Sequence, residues 1–152
     1  LEALAQALEI ESAVVFTGRV ENEQMAELYR SADVMVNPSL ADNMPISVLE
    51  ALASGVPVVS TRVGGVPHLV QHGKTALLVA PGDVDAMAKA VIRVREDPDL
   101  AERLVRAGLA EIKQYTWPSV RETLQSVYTD ALTENGNTEV MGKGSGLPSP
   151  GT

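Results

Sequence analysis

Two carboxylates, Asp42 and Glu50, bracket the seven residues Asn43-Met44-Pro45-Ile46-Ser47-Val48-Leu49. A helix is expected to start between them. Pro45 suits its first turn, where a missing N–H costs nothing. Asp42 or Asn43 can accept a bond from the open N–H groups there. Leu49, Leu52 and Ala53 supply an apolar face, and Gly55 a natural stop. Pro57-Val58-Val59 then reads as a buried strand, and Val34-Met35-Val36 before the loop reads as another. The order is strand, polar loop, helix N-terminus, strand. In an open α/β sheet such a loop lies at the carboxyl ends of the strands, where ligands bind. Open N–H groups and the helix dipole favour an anion at that point, typically a phosphate.

The elements that must hold this loop follow from hydrophobic spacing. Leu1, Leu4, Ala5 and Leu8 mark a short amphipathic helix. Val14-Val15-Phe16-Thr17-Gly18 reads as a buried strand ending in a turn. Met25, Leu28, Tyr29 and Ala32 mark the inner face of the next helix, with Asn22 a possible cap. Strands are expected over residues 33–37, 56–60 and 76–79. Gly64-Gly65 permits tight backbone after the second of these, and residues 67–71 make one helical turn closed by Gly73. Pro81-Gly82-Asp83 turns into a helix with apolar Val84, Met87, Val91 and Val94. Asp97-Pro98 caps another through Leu100, Leu104, Val105 and Ile112. Thr116-Trp117-Pro118 opens a last helix running to about Leu132, with Trp117 expected to pack the last helices onto the sheet. Alternating strands and helices predict an α/β fold, a parallel sheet flanked by helices and joined by right-handed crossovers. Residues 1–133 are read as the domain. From 134 to 152 Gly, Ser, Pro and Thr dominate, and a disordered tail is expected.

The chain has 152 residues, enough for one domain with a real core. With one Phe, one Trp and three Tyr, that core must be Val, Leu, Ala and Ile. The net charge of −8 argues against nucleic acid and against anionic membrane as partners of this part. There is no Cys, hence no disulfide and no thiolate chemistry, which fits a cytoplasmic protein. No apolar run approaches membrane-spanning length. The sequence begins at Leu1, inside an apparent helix, so a fragment of a longer protein is expected.

The central stretch resembles the donor-sugar signature of the retaining glycosyltransferases of family 4, enzymes with two Rossmann-like domains (the GT-B type). That family shows Pro-Ser after a strand, then Glu, seven residues, Glu, and Ala-hydrophobic-Ala-x-Gly-x-Pro-Val-Val. Pro38-Ser39 and Glu50-Ala51-Leu52-Ala53-Ser54-Gly55-Val56-Pro57-Val58-Val59 match. Asp42 replaces the first Glu, one methylene shorter, and Asn43-Met44-Pro45 replaces the usual Gly-Phe-Gly. Val15-Phe16-Thr17-Gly18, Gly64-Gly65-Val66-Pro67, Pro81-Gly82-Asp83 and Thr116-Trp117 follow in the family's order. His68 stands where a Glu is common. The resemblance runs from about Leu1 to Leu132. It implies a Rossmann-like donor-binding domain, the partial C-terminal half of a GT-B fold.

The resemblance also implies roles. Glu50 would accept from the ribose hydroxyls of a nucleotide, since a carboxylate can accept from two hydroxyls at once. Spacing alone makes it a solvated helix residue. Asp42 would contact hydroxyls of the transferred sugar, or serve only as a turn residue. Backbone N–H groups of Asn43, Met44, Pro45's neighbours Ile46 and Ser47 would meet sugar and diphosphate. Gly18, Arg19 and Val20 would hold the nucleobase, largely through backbone, and Arg19 by itself reads as a surface charge. His68 and His72 have metal-ligand spacing, but no third ligand accompanies them. His72, beside Gly73, reads as complementing a helix C-terminus. No metal and no cofactor is expected.

The function implied is donor binding by the C-terminal domain of a retaining glycosyltransferase, which moves a hexose-type sugar from a nucleotide diphosphate to an acceptor. The alternative is a non-catalytic nucleotide-sugar-binding module. Either partner protein segment, the N-terminal acceptor domain and a Gly-Arg and a Lys that pair with the diphosphate, would lie upstream of Leu1. The fragment alone is expected to be inactive. A six-stranded Rossmann sheet has the order 3-2-1-4-5-6, of which this chain would supply the last four. Residues 14–17 would then stand about 10 Å too far from residues 34–37. Buried backbone cannot stay unpaired, so these segments are expected to pair directly, or a second chain to fill the gap.

Overall fold

The computed structural model describes residues 1–134. In chain order these form α1 (Glu2–Ala7), a 3-10 turn (Glu11–Ala13), α2 (Asn22–Arg30), β1 (Met35–Asn37), α3 (Ile46–Ala53) and β2 (Val58–Thr61). There follow α4 (Val66–Leu69), β3 (Leu77–Val79), α5 (Val84–Glu96), α6 (Pro98–Glu111), a second 3-10 turn (Ile112–Tyr115) and α7 (Trp117–Glu134). They fall into two compact units, Leu1–Glu111 and the segment from Ile112 onward.

The first unit is an α/β domain around a parallel sheet of order β1-β2-β3. Val36 pairs with Val59 and Ser60 with Leu78, fixing the register of both ladders. All four residues of β2 are buried, as expected of a strand covered on both faces. α3 packs on β1 and β2, while α5 packs on β2 and β3. Val59, Leu77, Val94, Leu100 and Leu104 form the core cluster, with Val34, Met87 and Val91 against it. In the second unit the Thr116 and Ser119 hydroxyls both donate to the Lys113 carbonyl, at 2.9 and 3.1 Å, and so tie the 3-10 turn to the start of α7. Trp117 stands exposed there.

Local chemistry sets the helix ends. Gly55, at φ 74°, closes α3 as a Schellman motif: its N–H reaches the Leu52 carbonyl and the Val56 N–H reaches Ala51. Asp83 Oδ1 accepts from Ala86 N and Asp97 Oδ1 from Leu100 N, both at 2.9 Å, capping α5 and α6.

Several expectations need correction. Residues 14–17 are not a strand. Val15 is 84% exposed and Phe16 46%, and the segment forms no ladder with β1 among the described residues. An apolar run becomes a buried strand only where other layers cover it, and none covers this one. Among the described residues β1 therefore has one paired edge. α3 buries Val48, Ala51 and Leu52 rather than Leu49, Leu52 and Ala53. Its cap position is Pro45, not its first turn, and neither Asp42 nor Asn43 caps it. In α1 only Ala5 is buried, and α6 stops at Glu111 before Ile112. The tail expected over 134–152 lies outside the described residues, except for Glu134 at the end of α7.

Candidate functional site

The site is built on the loop from β1 to α3, at the carboxyl end of the sheet. Asn37 closes β1 at 7% exposure. Its Oδ1 accepts from the Ser39 hydroxyl at 2.7 Å, and the Thr61 hydroxyl, at the end of β2, donates to the Ser39 carbonyl. Asn37 Nδ2 is buried without a partner, an open donor at the base of the loop. Two adjacent strand ends thus grip Ser39.

Further along, Asp42 Oδ1 accepts from the Met44 N–H at 3.2 Å, a turn that the side chain closes on its own backbone. The Asp42 carbonyl accepts from the Gly65 N–H at 3.0 Å. A Cβ at Gly64 would collide with the Asp42 carbonyl, and one at Gly65 with the Asn43 carbonyl. The tight backbone expected of the double glycine is therefore tight against this loop. Pro45 is buried, Asn43, Met44 and Ile46 are exposed, and Ser47 is half-buried. No side chain caps the N-terminus of α3; the Val48 N–H turns back to the Pro45 carbonyl at 3.1 Å, and the N–H groups of Ile46 and Ser47 are left to water or a ligand.

Glu50 lies one turn further along α3, with its side chain at the surface. α2 packs beside α3, and from it the Tyr29 hydroxyl donates to Glu50 Oε2 at 3.2 Å. Burial pushes the Tyr29 phenol up to about 12, helped by the hydrogen bond to Glu50 and then by the carboxylate's charge. The hydroxyl is therefore a donor throughout the neutral range. Sequence spacing had placed Tyr29 only on an apolar face. The available signal was chemical: a buried tyrosine usually needs a partner for its O–H.

Gly18, Arg19 and Val20 lie in the loop before α2, with Gly18 at φ 61°. Arg19 pairs with Glu21 at 3.4 Å on the open surface, where such pairs contribute little. This loop leads into α2, of which Tyr29 is the penultimate residue. The nine residues of α2 span about 13 Å. Arg19 and Val20 line a shallow polar cavity of about 330 Å³ with Glu21, Asn22 and Glu23. An apolar cleft of about 180 Å³ opens between Pro38, Leu40, Thr61, Ala80 and Val84. It contains neither Asp42 nor Glu50. His72 Nδ1 accepts from the Leu78 N–H at 2.9 Å and so braces the start of β3, not a helix end. Among the described residues no group of three or more His, Cys, Asp or Glu could hold a metal. None of their helices is long and apolar enough to cross a membrane.

Comparison with known proteins adds to this geometry. Residues 1–110 match the family model described as glycosyl transferases group 1. The chain is 35% identical over 135 residues to a D-inositol 3-phosphate glycosyltransferase of Streptomyces griseus, a match covering 89% of this chain and 29% of that protein. It is 33% identical over 138 residues to an N-acetyl-alpha-D-glucosaminyl L-malate synthase of Bacillus anthracis, covering 90% and 36%. The chain thus spans about a third of the length of these curated relatives. Among solved structures it superposes on a sucrose-phosphate synthase from Thermosynechococcus elongatus with TM-score 0.80 and 30% identity, covering 88% of this chain and 34% of that one. It superposes on Anabaena Alr3699/HepE in complex with UDP-glucose with TM-score 0.72 and 25% identity, covering 82% and 35%.

Proposed function

The chain belongs to the group 1 glycosyl transferases, with their GT-B Rossmann-like fold, and from that premise we propose that it is the nucleotide-sugar-binding C-terminal domain of a retaining, family 4 hexosyltransferase. The observation that carries the proposal is the uncapped N-terminus of α3. It sits at the carboxyl end of a parallel sheet, with Asp42 just before it and Glu50 one turn inside. The UDP-glucose held by a relative of the same fold supports a nucleotide-sugar ligand.

On this reading Glu50 accepts from the ribose hydroxyls, and Asp42 faces the transferred sugar. The N–H groups of Asn43, Ile46 and Ser47, with Pro45 shaping their turn and the Met44 N–H held by Asp42, take the diphosphate. Gly18, Arg19 and Val20 take the base. The bond from the anomeric carbon to the diphosphate oxygen breaks, and its electron pair stays on the diphosphate. The acceptor oxygen bonds to that carbon from the face the leaving group vacates, and its proton passes to the departing diphosphate oxygen. The helix N-terminus stabilises the growing charge, so the proposal needs no metal. The acceptor-binding domain and a cytoplasmic setting belong to the same proposal; the absence of Cys supports the latter.

In the full-length protein Glu50→Ala should weaken nucleotide-sugar binding. A hydrogen bond to a charged group contributes about 1.5–3 kcal/mol, so affinity should fall roughly ten- to a hundredfold. Calorimetric titration showing unchanged affinity would remove Glu50 from the ribose.

The second reading is a non-catalytic nucleotide-sugar-binding module. It is favoured by the Asp42 carboxylate, already engaged in closing its own turn. Asp42→Glu separates the two, since the longer side chain restores the family's usual reach. The expected result is a gain in transfer. Donor binding with no transfer by either protein would establish the module.

A further inference from the structure

Glu50 is a surface carboxylate on a helix, free in principle to adopt several rotamers. A ligand that needs one of them must immobilise the side chain on binding, at an entropic cost. Here a second helix has already chosen the position. Tyr29 is 8% exposed, so its ring is fixed by the packing of α2. Its hydroxyl ends 3.2 Å from Oε2. A fully surface ion pair would not hold a carboxylate in this way, because both partners would be mobile.

Resting on the ribose reading of Glu50, we infer that Tyr29 is a positioning residue for nucleotide recognition. Its hydroxyl orients the Glu50 carboxylate so that Oε1, and the lone pair left on Oε2, are presented to the vicinal hydroxyls of a nucleotide ribose. Tyr29, 8% exposed, acts through Glu50. Burial raises its pKa, so the phenol stays protonated and remains a donor. Ionised Glu50 is acceptor-only, so a donor is the one partner that can steer it without competing for ribose protons. The same contact ties α2, which follows residues 18–20, to α3, which carries Glu50.

The test uses the full-length protein and Tyr29→Phe, which keeps the ring. Calorimetry first finds which of UDP, ADP and GDP binds wild type most tightly, and then compares it with its 2′,3′-dideoxy analogue. Wild type should prefer the ribonucleotide. Tyr29→Phe should weaken the ribonucleotide about three- to tenfold, the size expected for one side chain that must now be ordered on binding, and leave the dideoxy analogue unchanged. In a Glu50→Gln background the same substitution should have no further effect. If Tyr29→Phe weakens both nucleotides equally, or prefers ribose as strongly as wild type does, the positioning role is overturned while the ribose reading stands. If wild type binds none of the three, or does not distinguish ribose from dideoxyribose, the ribose reading fails and the inference falls with it. Thermal melting of each variant identifies any loss due to misfolding, and Tyr29→Leu, smaller and with no donor, then serves as the variant lacking a hydroxyl.

Discussion

Gly65→Ala should destabilise the domain by about 2–3 kcal/mol or more and displace the ligand loop, although Ala is ordinarily the mildest of substitutions. Gly65 has φ −81° and ψ −9°, which any residue can adopt, so conformational strain is not the reason. The reason is close approach. A Cβ there would fall within the van der Waals shell of the Asn43 carbonyl, and one at Gly64 within that of the Asp42 carbonyl. In both cases the obstacle is backbone, which cannot swing aside like the end of a long side chain. The loop must retreat, and the Gly65 N–H to Asp42 hydrogen bond goes with it. Its retreat carries Pro45 and the N-terminus of α3 out of place, so nucleotide-sugar affinity should fall in the same variant. Gly82→Ala is the control. It has nothing within 4 Å but a φ of 79°, so it should cost only the left-handed strain of about 1–2 kcal/mol and leave binding alone. Denaturant midpoints and titrations measure both. A Gly65→Ala protein within 0.5 kcal/mol of wild type would show that the loop is not clamped.

The parts of this fold legible in the sequence are those decided by short-range chemistry. Gly55 ends α3 because a left-handed residue must follow the helix, and that requirement is local. Asp83 and Asp97 cap from positions next to their helices. β2 reads as a strand because Val58 and Val59 leave little else possible. What was not legible depends on distant partners. Ile46, Val48, Leu49, Leu52 and the alanines make α3 apolar nearly all round, so periodicity could not choose its buried face. Packing chose it: α6 approaches so closely that a Cβ at Gly108 would come within 2.7 Å of Leu52 Cδ2. Residues 14–17 were misread because Val15 and Phe16 suit a strand only when another layer covers them. At the site, a helix start after the polar loop was legible, though not its cap; Asp42 and Glu50 were singled out by the resemblance to the family's motif, not by spacing. The Tyr29 hydrogen bond crosses 21 residues and two helices, and the Gly65 clamp joins two loops; no local pattern encodes either.

The chain by itself should not transfer sugar. Transfer needs donor and acceptor held in near-attack geometry, an arrangement that can account for roughly 7–11 kcal/mol of barrier. On the proposed reading the acceptor half lies in another domain. The donor half is also incomplete. Across the described residues the diphosphate would meet the uncapped α3 N-terminus, which contributes typically 0.3–1 kcal/mol toward one exposed charge. Arg19, within the expected base loop, is paired with Glu21. The net charge of −8 opposes any dianion. Affinity of the isolated chain for nucleotide-sugar should therefore be millimolar at best, about −4 kcal/mol. The experiment incubates purified chain with labelled nucleotide-sugars and a panel of acceptors and looks for product. Turnover on the order of 1 per second, usual for an enzyme, would mean that residues 1–152 contain a complete catalytic site and that the assignment to one half of a two-domain enzyme is wrong. Binding without turnover, strengthened when the remaining domain is supplied, is the result the geometry of α3 predicts.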